Sequence, residues 1–280
     1  MIGIILAGGN GTRLSPLTKI VNKHLLPIYD KPMIYYSLSV LLLAKIKEII
    51  LICKETDIEN YKKIFDDGSH INIKIHYVVQ PKPIGIPDAF RLTKSIVKKN
   101  KVCLILGDNF FYGQDFTIKL LSAKKSPRST IFTHNVKSPK SFGILEFNSK
   151  HEPKKIIEKP KNPKSNYAVT GLYFYTNEVF EIVDKIKFSD RGELEITDIN
   201  NYFLKKSKLN VEHLGRGYNW LDLGSFENIL IASQFVNITQ KLQGTQIASI
   251  EEIAYKNGWI DKHQLIKLID KIEFKKIMNS

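Results

Sequence analysis

Short apolar runs rich in β-branched side chains alternate with stretches of helical spacing along the first third of the chain. Such runs are typical of buried strands, whereas apolar positions recurring every three or four residues are typical of helices. The alternation predicts a largely parallel sheet with helices on both faces. The strand-like runs are Ile2–Ala7, Glu48–Cys53, Ile73–Val79 and Val102–Leu106, and the helix-like stretches include Met33–Ala44 and Pro87–Val97.

The middle of the chain has shorter strand patterns, at Ser129–Val136, Gly143–Phe147, Lys155–Glu158 and Ala168–Tyr175. From Ser225 onward apolar residues fall at helical intervals, as far as Ile272. We therefore predict a Rossmann-like α/β fold, with a mixed, mostly parallel sheet flanked by helices in three layers (α/β/α). Residues 1–224 would form this domain, and residues 225–280 a helical extension for packing or oligomerisation.

The composition is that of an ordinary globular protein, since 43% of the 280 residues are hydrophobic and 25% are charged. The two cysteines, Cys53 and Cys103, lie in apolar runs, which favours core packing over a disulfide or a metal site. The run Ile2–Ala7 is too short for a signal peptide or a membrane span. We expect a cytoplasmic protein with no membrane partner.

The formal net charge of +14 raises the question of nucleic-acid binding. The lysines, however, are scattered at turns and predicted helix ends, with no stripe interleaved with aromatic residues. We therefore expect a solvated lysine-rich surface and no nucleic-acid partner. Arginine is used sparingly: of five arginines, Arg13, Arg191 and Arg216 lie in glycine-containing segments, where a fixed charge suits an anion.

The first apolar run leads directly into Gly8-Gly9-Asn10-Gly11-Thr12-Arg13. Glycines let backbone N–H groups approach an anion closely, and the arginine fork matches phosphate oxygens. A P-loop is excluded because the loop lacks the terminal Gly-Lys-Ser/Thr. The dinucleotide fingerprint is incomplete, because Leu14 stands where a third glycine belongs, although the loop alone leaves that reading open. The loop predicts phosphate binding, most simply of a nucleoside triphosphate.

Two aspartates follow extended segments where they could share a divalent cation. Asp108 comes directly after the run Val102–Leu106, and Asp222 follows an extended segment and precedes a helix. Magnesium bound to a triphosphate requires hard oxygen ligands on rigid elements. An isolated aspartate at either place would more simply cap a turn, so the pair is a metal site only in the company of other chemistry.

At this point seven blocks of the chain resemble the sugar-1-phosphate nucleotidylyltransferases, most of all the members that use dTTP and glucose 1-phosphate. Together they cover nearly the full length. The blocks are Leu6 to Thr18, Lys23 to Met33, Leu106 to Gly113, Glu158 to Pro160, Ser165 to Tyr175, Arg191 to Asp198 and Gly215 to Gly224.

The resemblance implies a Mg²⁺-dependent reaction in which a sugar 1-phosphate oxygen attacks the α-phosphorus of a nucleoside triphosphate. The substrates would be dTTP and glucose 1-phosphate, and the products dTDP-glucose and pyrophosphate, for deoxysugar and O-antigen or other surface polysaccharide synthesis. It also implies a homotetramer with possible product feedback between subunits. Residues 1–115 would bind the nucleotide and residues 116–224 the sugar. Such transfers depend mainly on positioning and charge neutralisation.

Roles for individual residues also follow from the resemblance. The catalytic cations would be Arg13, Lys23 and Lys159, and the metal ligands Asp108 and Asp222. The nucleotide would contact Gly8, Gly9, Gly11, Thr12, Arg13, Lys23, Gln80, Gly85 and Asp108. The sugar and its phosphate would contact Asn109, Gly143, Glu158, Lys159, Val169, Tyr173, Arg191, Glu193 and Trp220.

The chain departs from the family pattern on the base and sugar sides. His24 follows Lys23 where glutamine is usual, and a histidine near phosphates would carry a pH-dependent charge. Ile84, Pro87 and Asp88 replace common residues of the base-facing stretch, which leaves UTP as an alternative to dTTP. Phe142 removes a tyrosine hydroxyl before Gly143, so another hexose 1-phosphate is also open. A more distant alternative is a catalytically silent nucleotide-sugar sensor.

Overall fold

The computed structural model describes residues 1–269 together with residues 274, 277 and 278. Their strands are β1 (Ile2–Leu6), β2 (Pro27–Ile28), β3 (Lys31–Pro32), β4 (Glu48–Cys53), β5 (Lys74–Val79), β6 (Val102–Leu106), β7 (Asn109–Tyr112), β8 (Ser129–Asn135), β9 (Gly143–Phe147), β10 (Pro153–Glu158), β11 (Tyr167–Tyr175), β12 (Leu209–Leu214) and β13 (Asn219–Asp222). Their α-helices are α1 (Ile34–Leu43), α2 (Ile58–Phe65), α3 (Asp88–Val97), α4 (Phe116–Lys125), α5 (Val179–Ile182), α6 (Ile196–Lys205), α7 (Phe226–Gln243), α8 (Ile250–Lys256) and α9 (Lys262–Leu268).

Short 3₁₀ turns fill several connections, and three of them follow β1 in succession. They span Thr12–Leu14, Leu17–Lys19, Lys23–Leu25, Glu55–Asp57, Ser69–Ile71 and Pro139–Ser141. None of the helices in residues 1–269 is long and apolar enough to span a membrane.

A nine-stranded sheet forms the centre of the molecule, with the order β12-β8-β11-β6-β1-β4-β5. In addition, β9 pairs with β11, and β10 pairs with β9. The pairs β1–β4, β1–β6, β4–β5 and β8–β12 are parallel. β11 is antiparallel to β6, β8 and β9, and β10 is antiparallel to β9. Two strands, β10 and β11, therefore run against the other seven, and the predicted mixed, mostly parallel sheet is confirmed.

Alternate side chains of each central strand enter separate cores on the two faces of the sheet. In β1, Ile2 and Ile4 pack with residues of α3, α5 and α6, whereas Ile5 packs with α1, α2 and α4. Apolar residues on both faces explain why these strands appear as continuous apolar runs. Gly3 is required by the close approach of α1, because a Cβ there would lie 2.7 Å from Leu41 Cδ1.

A two-stranded sheet, β7 with β13, lies beside the end of β6 and is linked to it by the turn at residues 107–108. Asn109 is the partner of Asp222 in this pair, and Leu223 N donates to Asp108 O at 2.8 Å. The distant chain segments that carry the two candidate metal ligands are thereby held together. A third, small core of α7, β2, β7 and the start of α1 supports this sheet from behind.

Most predicted elements agree with the structure to within one or two residues. The sequence patterns did not identify α2, α4, α6 or β12. Residues 191–195, which the acidic pattern allowed as a helix start, form a loop before α6. The C-terminal pattern is helical as far as Leu268, whereas Ile272 lies outside the described residues. Cys53 and Cys103 are buried free thiols in β4 and β6. The division at residues 115 and 224 stays a prediction.

Candidate active site

The glycine loop lies at the carboxyl end of β1, where ligands bind in sheets of this kind. Ala7 N still pairs with Ile52 O at 2.7 Å, after which the chain leaves the sheet. Gly11 has a φ of +61°, and a Cβ at Gly8 would lie 2.2 Å from Gln80 Oε1. Both positions therefore require glycine, the first for its backbone conformation and the second because Gln80 packs against it.

Arg13 extends from the first 3₁₀ turn toward β13. The neighbouring Leu14 is fully buried and anchors the turn, while the Arg13 side chain remains 66% exposed. Its Nη2 lies 3.6 Å from Asp222 Oδ2, and a Cβ at Gly224 would lie 2.3 Å from the same nitrogen. The guanidinium therefore lies over the end of β13 with most of its surface open to an incoming anion.

Lys23 and Asp108 form a second, nearly buried ion pair. Lys23 Nζ lies 2.5 Å from Asp108 Oδ2, and the two side chains are 12% and 13% exposed. Burial opposes ionisation of Asp108, but the Lys23 ammonium outweighs it and lowers the pKa of Asp108 to about 2. The carboxylate is held further by Asn109 Nδ2, which donates to Asp108 Oδ1 at 3.2 Å.

Asp222 differs from Asp108 in its electrostatic environment. Burial, and next the charge of Asp108, raise the pKa of Asp222 above its usual value. The carboxylate is oriented by Gly224 N, which donates to its Oδ1 at 2.9 Å, and Asn228 Nδ2 donates to its backbone oxygen at 2.6 Å. The two carboxylates thus repel one another across the crevice, an arrangement that a cation would relieve.

These two aspartates fit a magnesium ion that keeps much of its shell from water and phosphate. Within residues 1–269, no group of three or more histidine, cysteine, aspartate or glutamate side chains could enclose a metal. Mg²⁺ commonly binds one or two carboxylates together with substrate phosphates and waters. The donor set therefore fits a magnesium–triphosphate complex better than a closed protein metal site.

His24 is buried beneath the crevice. Its Nδ1 lies 2.8 Å from Asn22 Oδ1, and a Cβ at Gly107 would lie 2.7 Å from its Cδ2. Burial, followed by the Lys23 charge, lowers the pKa of His24 to about 3. The hypothesis of a pH-dependent charge at this position is therefore wrong, because the ring is neutral throughout the physiological range. Its role is packing between β1 and β6.

A cavity of about 220 Å³ opens beside the two ion pairs. Ten of the predicted residues line it: Arg13, Asp108, Asn109, Gly143, Glu158, Lys159, Val169, Tyr173, Trp220 and Asp222. Sequence reasoning did not assign a role to several others that line it, namely Ile86, Leu106, Ser141, Thr170, Gly171, Ile196, Thr197 and Asn200. Seven of the residues predicted to contact the nucleotide do not line this cavity: Gly8, Gly9, Gly11, Thr12, Lys23, Gln80 and Gly85.

Glu158 and Lys159 end β10 at the wall of this cavity. Thr197 Oγ1 donates to Glu158 Oε2 at 2.6 Å. Lys159 has a φ of +41°, a backbone conformation that residues other than glycine seldom adopt. Its backbone N–H donates to Phe142 O at 3.0 Å. In the described part of the chain the Lys159 ammonium has no carboxylate partner. It is a free cation at the cavity wall.

Asn109 and Trp220 form the base of the cavity through a hydrogen bond of their own. Trp220 Nε1 donates to Asn109 Oδ1 at 2.6 Å, and Gly171 N donates to the same oxygen at 3.0 Å. The Phe142 ring lies 5.1 Å from the indole. Asn109 Oδ1 is thus already engaged with the protein, while the Trp220 and Phe142 rings offer apolar surface.

Arg191 and Glu193 lie outside this cavity. Arg191 Nη2 lies 2.9 Å from both carboxylate oxygens of Glu195, 3.4 Å from Glu193 Oε2 and 3.7 Å from Glu158 Oε1. The Glu193 side chain is half exposed. Arg191 therefore approaches the cavity from behind Glu158, and among these described residues its charge is opposed by three carboxylates.

The lining residues that sequence reasoning missed are all uncharged, and three of the eight, Ile196, Thr197 and Asn200, lie on α6. Thr197 and Asn200 are three positions apart, which places both on the helix face toward the cavity. The only sequence signal for Thr197 was the block that ends at Asp198, and Asn200 lies two residues beyond that block. Neutral side chains of this kind are common throughout a chain, so their role becomes visible only when their partners are known.

Comparison with known proteins confirms the resemblance. A family model described as nucleotidyl transferase matches residues 2–238. The chain is 49% identical over 269 residues to the glucose-1-phosphate thymidylyltransferase of Neisseria meningitidis serogroup A, which covers 96% of this chain and 93% of that protein. Identity to the glucose-1-phosphate thymidylyltransferase of Mycobacterium tuberculosis is 43% over 267 residues, with 95% of this chain and 93% of that protein covered.

Two solved structures share the fold. A structure from Bacillus anthracis, assigned as a glucose-1-phosphate thymidylyltransferase and holding a sucrose, has a TM-score of 0.76 at 36% identity, over 84% of this chain and 95% of that chain. A UDP-glucose pyrophosphorylase with UDP-glucose has a TM-score of 0.73 at 24% identity, over 85% and 98% of the two chains. The chain therefore belongs to the nucleotidyl transferase family, and within it to the glucose-1-phosphate thymidylyltransferases.

Proposed function

We propose that this protein joins dTTP and glucose 1-phosphate to give dTDP-glucose and pyrophosphate. An oxygen of the sugar phosphate forms a bond to the α-phosphorus, and the bond from that phosphorus to the bridging oxygen of the leaving pyrophosphate breaks. The observation that carries the proposal is the meeting of three cations, Arg13, Lys23 and Lys159, with the carboxylates of Asp108 and Asp222 around one crevice. This is the charge arrangement that transfer between two phosphate esters requires.

The nucleotide would lie over the glycine loop. Backbone N–H groups of Gly8, Gly9, Gly11 and Thr12 would face the triphosphate, and Gln80 and Gly85 would border the base. Arg13, which is mostly exposed, would close on the phosphates. The Lys23 ammonium lies beside Asp108, the carboxylate that would bind the metal. Once the metal takes its place there, Lys23 would turn toward the negative charge that builds on the α-phosphate.

Asp108 and Asp222 would hold Mg²⁺. Both carboxylates line the same cavity, and the charge of Asp108 contributes, after burial, to the raised pKa of Asp222. When bound, the ion would neutralise part of the triphosphate charge. Without the ion, the Lys23 ammonium is the cation that pairs with the Asp108 carboxylate.

The sugar phosphate would enter the cavity from the Lys159 side. The Lys159 ammonium, which has no carboxylate partner among the described residues, would pair with the phosphate and bring its oxygen toward the α-phosphorus. Glu158 would accept hydrogen bonds from sugar hydroxyls, with Gly143, Val169 and Tyr173 as the surrounding wall. Asn109 and Trp220 would form the floor of the sugar pocket. Arg191 and Glu193 would contribute to sugar binding from behind Glu158.

The test is an assay of pyrophosphate release from dTTP, glucose 1-phosphate and magnesium, with each component omitted in turn. We expect pyrophosphate release only when all three components are present. Release should be slower with other triphosphates or other hexose 1-phosphates. Binding of the nucleotide sugar without any release, across a panel of triphosphates and sugar phosphates, would contradict the proposal and favour a silent sensor. Preference for UTP over dTTP would retain the chemistry and change the substrate.

We further propose that the protein assembles as a homotetramer through its helical extension, as the resemblance implies. α7 carries five exposed apolar side chains: Phe226, Leu230, Ile231, Ile238 and Leu242. An apolar helix face of this size commonly marks an interface. We also retain the division into a nucleotide-binding part, residues 1–115, and a sugar-binding part, residues 116–224.

A further inference from the structure

Asn200 carries a buried amide donor that the protein itself does not use. The residue is fully buried in α6 and lines the central cavity. Its Oδ1 accepts a hydrogen bond from Tyr175 OH at 2.5 Å, whereas its Nδ2 has no partner in the described part of the chain. Leaving a buried donor unpaired is costly, so such groups call for a specific explanation.

The direction of the amide is determined by its neighbour. In the structure Tyr175 OH donates to the amide oxygen of Asn200, which leaves the amide nitrogen on the other side. Two other buried side-chain atoms lack partners among the described residues, Thr130 Oγ1 and Asn237 Oδ1, and neither residue lines this cavity. Asn200 is thus the one such group placed where a substrate could supply the acceptor.

The groups around Asn200 indicate which part of a substrate it meets. One turn earlier on α6, Thr197 donates to Glu158, and a Cβ at Gly143 would lie 3.1 Å from Glu158 Oε2. Glu158 is an acceptor and carries negative charge, so this region suits neutral groups that can donate and accept at once. Hydroxyl groups have that property, and phosphates do not.

We propose that Asn200 Nδ2 donates a hydrogen bond to one hydroxyl oxygen of the hexose, so that Asn200 is a further specificity-determining residue of this site. The inference rests on the proposed function, since it assumes a hexose 1-phosphate in the cavity. The same hydroxyl can donate to Glu158 while it accepts from Asn200. A sugar that lacks this hydroxyl would leave a buried amide unpaired, and would be rejected for that reason.

The test compares Tyr175→Phe with the double variant Asn200→Leu/Tyr175→Phe, so that Tyr175 OH is never left without its acceptor. For each protein, kcat/KM is measured with glucose 1-phosphate and with its monodeoxy analogues. We expect Tyr175→Phe to lose about tenfold or more with one analogue. With glucose 1-phosphate, kcat/KM of the double variant should fall by a similar factor relative to Tyr175→Phe. With the analogue that lacks the bonded hydroxyl, the two proteins should have the same kcat/KM. KM for dTTP should be unchanged.

The inference would be overturned if, for every analogue, the loss of kcat/KM from the Asn200 change and the loss from the missing hydroxyl simply multiplied. The amide and the hydroxyl would then act independently. Turnover of glucose 1-phosphate by Tyr175→Phe establishes the proposed function separately, so the two failures are distinguishable. If the double variant melts early, Asn200→Ala/Tyr175→Phe replaces it, since alanine also removes the amide and introduces no new polar group. Thr130→Val, which removes an unpartnered hydroxyl elsewhere, is the control and should leave the discrimination between sugars unchanged.

Discussion

Asp88 is one of the residues by which this chain departs from its family, and it determines which end of the Gln80 amide is free. Gln80 Nε2 donates to Asp88 Oδ2 at 3.3 Å, and both residues are buried. A carboxylate only accepts, so the amide nitrogen faces Asp88 and Oε1 lies beside Gly8. We expect this acceptor to take the N3 hydrogen of thymine or uracil, which cytosine lacks.

Asp88→Asn should therefore weaken the choice of base, because an asparagine can donate as well as accept and the Gln80 amide can then turn. The ratio of kcat/KM for dTTP to that for dCTP should fall about five- to tenfold, the value of one ordinary hydrogen bond. KM for glucose 1-phosphate should not change. Lys82→Ala, an exposed change in the same loop, is the control. An unaltered ratio would show that Asp88 does not orient Gln80.

The carboxylates of Asp108 and Asp222 have opposite effects on stability as the pH changes. The pKa of Asp108 is lowered to about 2, so its contribution favours folding above its ordinary value near 4 and is lost as the pH falls toward 2. The pKa of Asp222 is raised, so its ionisation disfavours folding at neutral pH, and this cost disappears in acid. The fold thus bears a cost at Asp222 that magnesium binding would relieve.

Asp222→Asn should accordingly separate activity from stability. We expect kcat/KM to fall at least 100-fold, as is typical when a group that stabilises the transition state is removed. The melting temperature without magnesium should stay the same or rise, because the ionisation cost is gone. Magnesium with dTTP should raise the melting temperature of the wild type much more than that of the variant. Asp184→Asn, a surface change, is the control, and a lower melting temperature for Asp222→Asn would contradict this account.

At the scale of elements, the loop at residues 80–88, which follows β5, is hydrogen-bonded to the segment that leads into α6. Leu194 N donates to Ile84 O at 2.8 Å, and Gly85 has a φ of +123°. A Cβ at Gly85 would lie 2.1 Å from Leu194 O. The proposed base side and the proposed sugar side of the crevice are therefore joined by a backbone contact that only glycine permits.

Gly85→Ala should disturb both sides at once. It must displace residue 194 and with it the start of α6, which carries Thr197 and Asn200. We expect a higher KM for both substrates and a lower melting temperature. Gly192→Ala is the matched control, because Gly192 also has a positive φ, +72°, but has nothing within 4 Å of its added Cβ. The backbone cost is about 1–2 kcal/mol at Gly192 and larger at the φ of +123° of Gly85, so the rise in KM for both substrates, rather than the melting temperature, reports the contact. Equal effects of the two variants would contradict the coupling.

The whole molecule adds the apolar face of α7 to this picture. Leu230 is 58% exposed near the middle of that helix. Leu230→Glu would place a charge in the proposed interface, and should convert the homotetramer to smaller species in sedimentation or light scattering. Lys62→Glu, an exposed change to the same residue type on α2, should leave the assembly intact. A wild-type protein that is monomeric at assay concentrations would contradict the proposed tetramer.

The fold was predictable at this scale because apolar periodicity determines which faces are buried. The runs that become β1, β4 and β6 are apolar on both faces, as a central parallel strand must be. The charged site residues were predictable from local motifs. The neutral state of His24 and the spare donor of Asn200 were not, because both depend on partners far along the chain, such as Gly107 and Tyr175.

In the proposed reaction, an oxygen of the sugar phosphate attacks the α-phosphorus of dTTP within this crevice. The most direct measurement uses glucose 1-phosphate labelled with ¹⁸O in its non-bridging phosphate oxygens, with dTTP and magnesium, and locates the label by mass spectrometry. The account predicts that dTDP-glucose and pyrophosphate form in equal amounts and that all of the label is in dTDP-glucose. Label in pyrophosphate or free phosphate, or pyrophosphate without dTDP-glucose, would contradict it.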